Sequence, residues 1–339
     1  MQNKLPRIKY STENFIGCDR CESWSDYLSF LFSTMHDKIN EIYADVDTFE
    51  FNNVIGGSVN FSAQSFIRSK QIVSSSSLDH YLVHLYLSGG FAGNAGAENI
   101  EIGCGDITIF DLDCTLNTIA AASKTIAFLI PKSHINRYDV AYIPNGMRVA
   151  GTSIGGQLLG DFIKRLYTLL PEAEQSEGTI LAEGLSSLVA CIVKGCSGYH
   201  DSKLLPLSAA LRHRALSVID RNLNSRDLTP SYISRELNTS RSHLYRSFAG
   251  DGGVAQIIQD RRLAKAYQIL REPCNRRVTV ACVAERLGFS NPQHFSRLFR
   301  DMYGTTPANV RDGEIPESFV PKKDTISEWI CSYNRRDGF

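Results

Sequence analysis

The chain of 339 residues has no unbroken apolar run near the ~18 residues that crossing a bilayer requires, which argues against a membrane span. Its opening stretch, MQNKLPRIKYSTENF, lacks the apolar centre of a secretion signal, so a cytoplasmic protein is expected. Low-complexity tracts are missing too, as in an ordinary globular chain. No nucleophile elbow, phosphate-cradling glycine loop or paired-carboxylate motif is present, so neither a catalytic residue nor a cofactor is expected. The pair Cys18 and Cys21 has no second pair at zinc-ligand spacing, and nine cysteines is an odd number. The reading is small thiols packed as apolar groups in a reducing compartment.

Net charge is also missing: 36 basic residues balance 36 acidic ones. That zero hides a division. From Leu207 to Asp312 there are 17 Lys and Arg against 9 Asp and Glu, so the remainder carries an equal acidic excess. Of those 17 only Lys265 is lysine. Arginine's planar fork suits phosphates and guanine edges, which points the basic region toward nucleic acid.

The length suits two domains. Strand-like segments rich in β-branched and aromatic residues run from Phe51 to Phe61, Ala63 to Ile72, Asp79 to Ser88 and Asp106 to Phe110. Turns are expected at Gly56-Gly57, Gly89-Gly90, Gly93 and Gly103 to Asp106. The spacing predicts a small antiparallel barrel or sandwich up to Pro131. Helical periodicity follows from Gly156 to Leu170 and from Thr179 to Lys194, with breaks at Pro171 and at Gly195 to Gly198. Those helices form either a layer on the barrel or a dimer contact.

The basic region repeats itself. Thr229 to Phe248 and Thr279 to Phe299 each open with a helix-capping threonine. Each continues into a short helix with an apolar stripe, Ile233 and Leu237 or Val283 and Leu287. A residue tolerant of left-handed backbone then follows, Asn238 or Gly288. A second helix ends each copy, with Leu244 and Phe248, or Phe295 and Phe299, facing inward. Helix, tight turn and helix with polar outward side chains is the pattern of a helix-turn-helix, whose second helix enters the major groove. Val254 to Leu270 reads as one connecting helix, buried along Ile258, Ala266, Ile269 and Leu270. Such a connector sets two reading heads about one DNA turn apart, ~34 Å.

These residues resemble the AraC/XylS family of bacterial transcription regulators. The stretch GFSNPQHFSRLFRDMYGTTP, Gly288 to Pro307, is similar to that family's second helix-turn-helix almost throughout. Gly252 to Ala255 followed by Asp260 to Ala266 is similar to its connecting helix. Two departures are Asn238 in place of the usual glycine and Val310 in place of an aromatic residue. The resemblance places DNA contacts at Arg241, Ser242, Tyr245 and Arg246, and at Asn291, Pro292, Gln293, Ser296 and Arg297. Gln293 suits adenine and Arg246 or Arg297 guanine, each worth about 1–3 kcal/mol of discrimination. The alternative is that both arginines bind only phosphates or brace helices through carboxylates.

The acidic half more faintly resembles cupin-like effector domains of the same family, through Ser77 to Gly89 (SLDHYLVHLYLSG), Gly105 to Phe110 (GDITIF) and the following Ile130-Pro131-Lys132. His80 and His84 share one strand face, and with Tyr86 they are the candidate effector-binding residues. No third histidine stands on a later strand, and His36, His134 and His200 have no ligand spacing, so lining or packing is favoured and no metal site is expected.

The expected fold is two-domain α+β: a cupin-like β-barrel plus helices at 1–200, an all-α double helix-turn-helix domain at 205–312, and a tail at 313–339 whose Ile326 to Tyr333 reads as helical. The expected function is sequence-specific transcription regulation. Family resemblance implies activation through RNA polymerase at promoter DNA, a small-molecule effector, a homodimer and no membrane. Two rivals remain: a metal-dependent cupin enzyme fused to a DNA-binding module, and a regulator without a ligand pocket, switched by a protein partner or by thiols such as Cys104 and Cys114.

Overall fold

A computed structural model describes residues 4–36, 42–76, 78–96, 98–140, 143–199, 207–248, 252–271 and 277–313. His200, Cys274, Cys331 and the helix expected at Ile326 to Tyr333 lie outside the described residues. In chain order the first part holds β1 (Arg7–Ser11), α1 (Asp19–Leu28), β2 (Ser33–Met35), β3 (Ala44–Phe51), β4 (Val54–Phe61), β5 (Gln64–Arg68) and α2 (Lys70–Ser76). It continues with β6 (His80–Ser88), β7 (Phe91–Ala95), β8 (Glu98–Ile102), β9 (Ile107–Asp111), β10 (Leu116–Ala120), β11 (Ser123–Pro131), α3 (Lys132–Asn136), β12 (Met147–Val149), α4 (Ile154–Leu169) and α5 (Gly178–Tyr199). The basic region holds α6 (Leu207–Arg221), α7 (Pro230–Glu236), α8 (Arg241–Ser247), α9 (Val254–Arg271), α10 (Val280–Arg286), α11 (Pro292–Tyr303) and α12 (Pro307–Asp312).

The chain divides into two compact units, one built on the strands and one helical. In the β unit two antiparallel sheets run in the orders β1-β3-β4-β11-β6-β9-β12 and β2-β5-β10-β7-β8. They remain separate sheets, so the barrel reading resolves to its sandwich form. β6 shows why its sequence is an almost continuous apolar run. Tyr81, Val83 and Leu85 pack with Leu159, Ile163, Leu185 and Val189 of α4 and α5. Leu82 and Tyr86 face the opposite way, among Phe91, Phe110 and Leu116. A strand buried on both faces has no polar alternation to show. Each such side chain, fully buried, contributes about 1.5–3 kcal/mol.

Several sequence expectations are corrected. Gly56 and Gly57 lie inside β4, and the turn is Asn52-Asn53, both at positive φ (47° and 64°), as a two-residue hairpin loop requires. Gly57 is glycine because a Cβ there would collide with the Asp47 carbonyl of β3. Gly93 likewise sits within β7. The strand expected from Ala63 to Ile72 stops at Arg68, and α2 follows. Arg68 is buried, donating to the carbonyls of Leu112 (2.7 and 2.9 Å) and Leu31 (2.7 Å), and its pKa is lowered to about 10 by that burial. α5 runs through Gly195 and Gly198, where a break was expected. Gln175 to Cys196 is also long and apolar enough by length and composition to cross a membrane, although Glu183, Ser186-Ser187 and Lys194 interrupt its apolar run. Ala182, Leu185, Val189, Ala190 and Val193 of this helix pack in the core against β strands and α4, as in a core helix of a globular unit.

The helical unit takes in α2 together with the elements from α6 to α12. It has two cores that share one helix. Val254 and Ile258, on the first turns of α9, pack with Leu244, Phe248 and α6. Leu263, Ala266, Tyr267 and Leu270, further along, pack with Phe295, Phe299 and Tyr303.

Candidate nucleic-acid interface

The helices of both helix-turn-helix units are started by local chemistry. Thr229 accepts from the Tyr232 amide with Pro230 at the first helical position, and Thr279 accepts from the Cys282 amide. Asn238 (φ 48°) and Gly288 (φ 75°) then reverse the chain in left-handed geometry, as their identities imply. Ser240 caps α8 by accepting from the His243 amide, and the Asn291 side chain caps α11 by accepting from the amides of Gln293 (2.8 Å) and His294 (3.1 Å).

Helical phase separates buried anchors from exposed polar side chains. Leu244 and Phe248 are fully buried, while Arg241, Ser242, Tyr245 and Arg246 are exposed on the opposite side. In α11 Phe295 and Phe299 are fully buried, while Pro292, Gln293 and Arg297 are exposed. Ser296 is half-buried and donates to the Pro292 carbonyl at 2.9 Å, and Arg297 lies 3.3 Å from His294 Nδ1. Asn291 thus has its oxygen engaged in the cap. The sequence reading did not single out His243, His294 and Arg300, which are also exposed. Arg300 stands seven residues after Gln293, two helical turns along the same face, and that spacing was the signal available.

The arginines of this unit fall into two groups. Arg226 pairs with Glu285 at 2.6 Å, Arg261 with Asp220 at 3.3 Å and Arg311 with Asp312 at 2.8 Å. Arg241, Arg246, Arg297 and Arg300 have no carboxylate partner among the described residues. Bracing through a carboxylate is thus seen at Arg226, Arg261 and Arg311.

Arg262 of α9 connects the two halves. Its guanidinium donates to the carbonyls of Leu223 (3.2 Å) and Ser225 (2.6 Å) before α7, and to that of Gly288 (3.3 Å) in the second turn. Burial lowers its pKa. A Cβ at Gly288 would come within 2.7 Å of that guanidinium, so glycine serves both the turn and the clamp.

In the β unit, His80, His84 and Tyr86 share a strand face as expected, but their surroundings differ. His80 is buried beside Lys132, and desolvation first, then Lys132, lowers its pKa to about 4. His84 lines an internal cavity and is lowered to about 3 by burial. Tyr86 packs against the His84 ring in a tilted arrangement, centroids 4.6 Å apart, without lining that cavity. Lys132 itself is held by Asp111 and Asp113, each at 2.7 Å. Seven cysteines among the described residues are free thiols, and no group of three or more His, Cys, Asp and Glu is placed to hold a metal among them.

Two helix-turn-helix units hung on one shared helix define a double-headed DNA-binding module. A family model described as a helix-turn-helix domain matches residues 233–313. The chain is similar to the transcriptional activator NphR of a Rhodococcus species, 25% identical over 278 residues that cover 77% of this chain and 78% of that one. It is 30% identical over 89 residues to "Probable transcription factor PqrA" of Proteus vulgaris, covering 25% of this chain and 70% of that one. Among solved structures the AraC-like transcriptional activator CuxR matches with a TM-score of 0.52 and 24% identity, over 77% of this chain and 95% of that one. The chain belongs to the AraC/XylS family of DNA-binding transcription regulators.

Proposed function

We propose that the chain is a one-component promoter switch acting in the cytoplasm, not an enzyme. In this reading residues 205–312 bind promoter DNA, α8 and α11 entering two successive major-groove segments, and RNA polymerase is recruited to activate transcription. Residues 1–200 hold a small-molecule effector and form the homodimer contact, and residues 313–339 are counted as a tail. Arg241, Ser242, Tyr245 and Arg246 read one segment; Pro292, Gln293, Ser296 and Arg297 read the other, with Asn291 fixing the start of α11.

The observation that carries the reading is the matched position of Arg246 and Arg297. Both are exposed, without a carboxylate partner among the described residues, and opposite a fully buried aromatic anchor. The charge division supports it further, since phosphate contacts supply salt-dependent affinity while base edges supply specificity. An effector switches such a protein only if it binds one of two states better than the other.

The test selects bound fragments from a genomic DNA library with the full chain, then measures affinity against salt. Arg246→Ala or Arg297→Ala is expected to relax selectivity at one half-site by about 5- to 150-fold, following 1–3 kcal/mol per contact. Equal weakening on every sequence would reduce both residues to phosphate contacts and overturn the specific assignment.

A further inference from the structure

In the β unit, α1 opens with a pair of thiols. Cys18 stands just before the helix in helical backbone, and the Cys21 amide donates to its carbonyl at 3.0 Å, so the two lie one turn apart. Packing as small apolar groups, expected from the sequence, holds for one member of the pair only. Cys21 is half-buried against the core around Trp24 and Tyr27, while Cys18 is exposed. Residues three apart in a helix have Cα atoms ~5 Å apart, inside the roughly 4.4–6.8 Å that a disulfide spans. Their Cβ atoms stand about 5–6 Å apart where a disulfide needs roughly 3.5–4.5 Å, so closure requires a shift of about 1–2 Å.

The surrounding chain lets one partner make that shift. The body of α1 is pinned, because Tyr10, Trp24 and Tyr27 stack on one another. The Tyr10 hydroxyl also donates to Ser23 Oγ at 3.0 Å, and the Trp24 indole N–H to Gln64 Oε1 at 2.8 Å. Cys18 lies outside those anchors. Before it come Ile16, 86% exposed, and Gly17, in left-handed backbone (φ 60°) with open space around it. Rotation at Gly17 and about the Cys18 side chain therefore carries that sulfur toward Cys21 while α1 stays in place. Among the described residues, two other cysteines share one element, Cys191 and Cys196 of α5. They are five residues apart, ~140° around the helix, and cannot meet.

Electrostatics sets the order of events. Burial first, then the neighbouring Cys18 and Glu22, push the Cys21 thiol up. The effect of one thiol on the other also marks them as neighbours. Cys18, exposed, is thus the attacking group, and Cys21, held against the core, the resolving one. Thiolate stabilisation is what makes a disulfide easy to reduce, and the first turn of α1 holds the carboxylates Asp19 and Glu22 instead. The closed form, once made, therefore persists.

We propose that Cys18 and Cys21 are a redox-active dithiol, closed by exchange with a low-molecular-weight disulfide and reopened by a small dithiol. The Cys18 thiolate attacks one sulfur of the small disulfide, forming a mixed disulfide and expelling one thiolate. The Cys21 thiolate then attacks the Cys18 sulfur, forming the internal bond and expelling the second. Two protein thiols are oxidised, the small disulfide is reduced to two thiols, and the two protein protons end on them. This chemistry is confined to the β unit and does not depend on the DNA reading.

The full chain is incubated with glutathione and glutathione disulfide in graded ratios and quenched with acid. Remaining thiols are then alkylated and the products mapped by mass spectrometry. In the intact chain the peptide holding Cys18 and Cys21 is expected to lose two hydrogens and escape alkylation, and dithiothreitol to restore both thiols. Cys21→Ser is expected to stop at a mixed disulfide with glutathione on Cys18. Cys18→Ser is expected to form one on Cys21 at least tenfold more slowly. Thermal unfolding checks that each serine variant keeps the fold, and the result on the intact chain needs no variant. Alkylation of both cysteines at every ratio would overturn the dithiol. So would glutathione left on Cys18 of the intact chain without closure, or a disulfide running to another chain. Equal rates at Cys18 and Cys21 in the two variants would overturn the order of attack.

Discussion

Replacing Arg262 by alanine removes three hydrogen bonds at once, two to the loop before α7 and one to the turn after α10. At about 1 kcal/mol net for each, the helical unit loses roughly 3 kcal/mol. Water satisfies part of what the half-buried carbonyls lose, so the larger consequence is geometric. With the clamp gone, α9 still carries both cores but no longer ties the Leu223–Ser225 loop to the Gly288 turn. Two heads held at fixed spacing bind as one ligand; loosened, the second pays an ordering cost on each encounter. The expected result is a loss of about 10- to 100-fold on DNA carrying both half-sites, and little change on DNA carrying one. Titration of labelled duplexes of both kinds, at a temperature where circular dichroism shows the variant folded, provides the test. Equal losses on the two DNAs would mean general destabilisation, and no loss on either would refute the clamp. Arg262→Lys keeps the charge without the fork and is expected to behave like the alanine variant.

Three further outcomes follow from particular residues. Asn291→Ala removes the cap that holds two amides of α11, costing about 1 kcal/mol in thermal unfolding and weakening the Gln293 and Arg297 half-site more than the other. Asn238→Gly keeps the left-handed turn without a side chain and is expected to hold or raise the melting temperature, whereas Asn238→Val loses about 1–2 kcal/mol. Acid should destabilise the β unit through His80 and His84, whose folded pKa values of about 4 and about 3 lie below the ordinary 6.5. The unfolded chain takes up protons that the fold refuses, so this stability is complete above about pH 6.5 and is lost as pH falls toward 4. By pH 5 the loss is on the order of 2 kcal/mol for each residue, and a His80→Asn, His84→Gln double variant should flatten the dependence in denaturant titrations between pH 7 and 5. An unchanged slope would show that other groups govern it.

The helix-turn-helix units were legible because their signals are local. A threonine caps the next three residues, Asn238 and Gly288 declare their own backbone, and a spacing of 51 residues aligns Arg246 with Arg297. The β unit was legible only in part, for the opposite reason. Gly56 and Gly57 looked like a turn, yet their identity answers to a neighbouring strand that sequence order does not reveal. α1 escaped notice because its ten residues, DRCESWSDYL, are mostly polar and bury only Trp24, Tyr27 and Leu28. The cavity was missed with it. His84 was singled out for its place on a strand, but Tyr27 and Thr48 join it only through tertiary packing. The first residues of α2, Lys70 to Ile72, were read as the end of a strand because Ile67 and Ile72 are β-branched, a weak local preference that packing against α9 overrides.

Genome-wide mapping of bound DNA in the source cell, comparing the intact protein with the Arg246→Ala, Arg297→Ala double variant, tests the central claim most directly. Sharp peaks upstream of genes, each covering two half-sites about one helical turn apart (~34 Å) and vanishing in the double variant, are the expected result. Diffuse occupancy that the two substitutions leave unchanged would mean the basic unit only coats phosphates, and would contradict sequence-specific reading by α8 and α11.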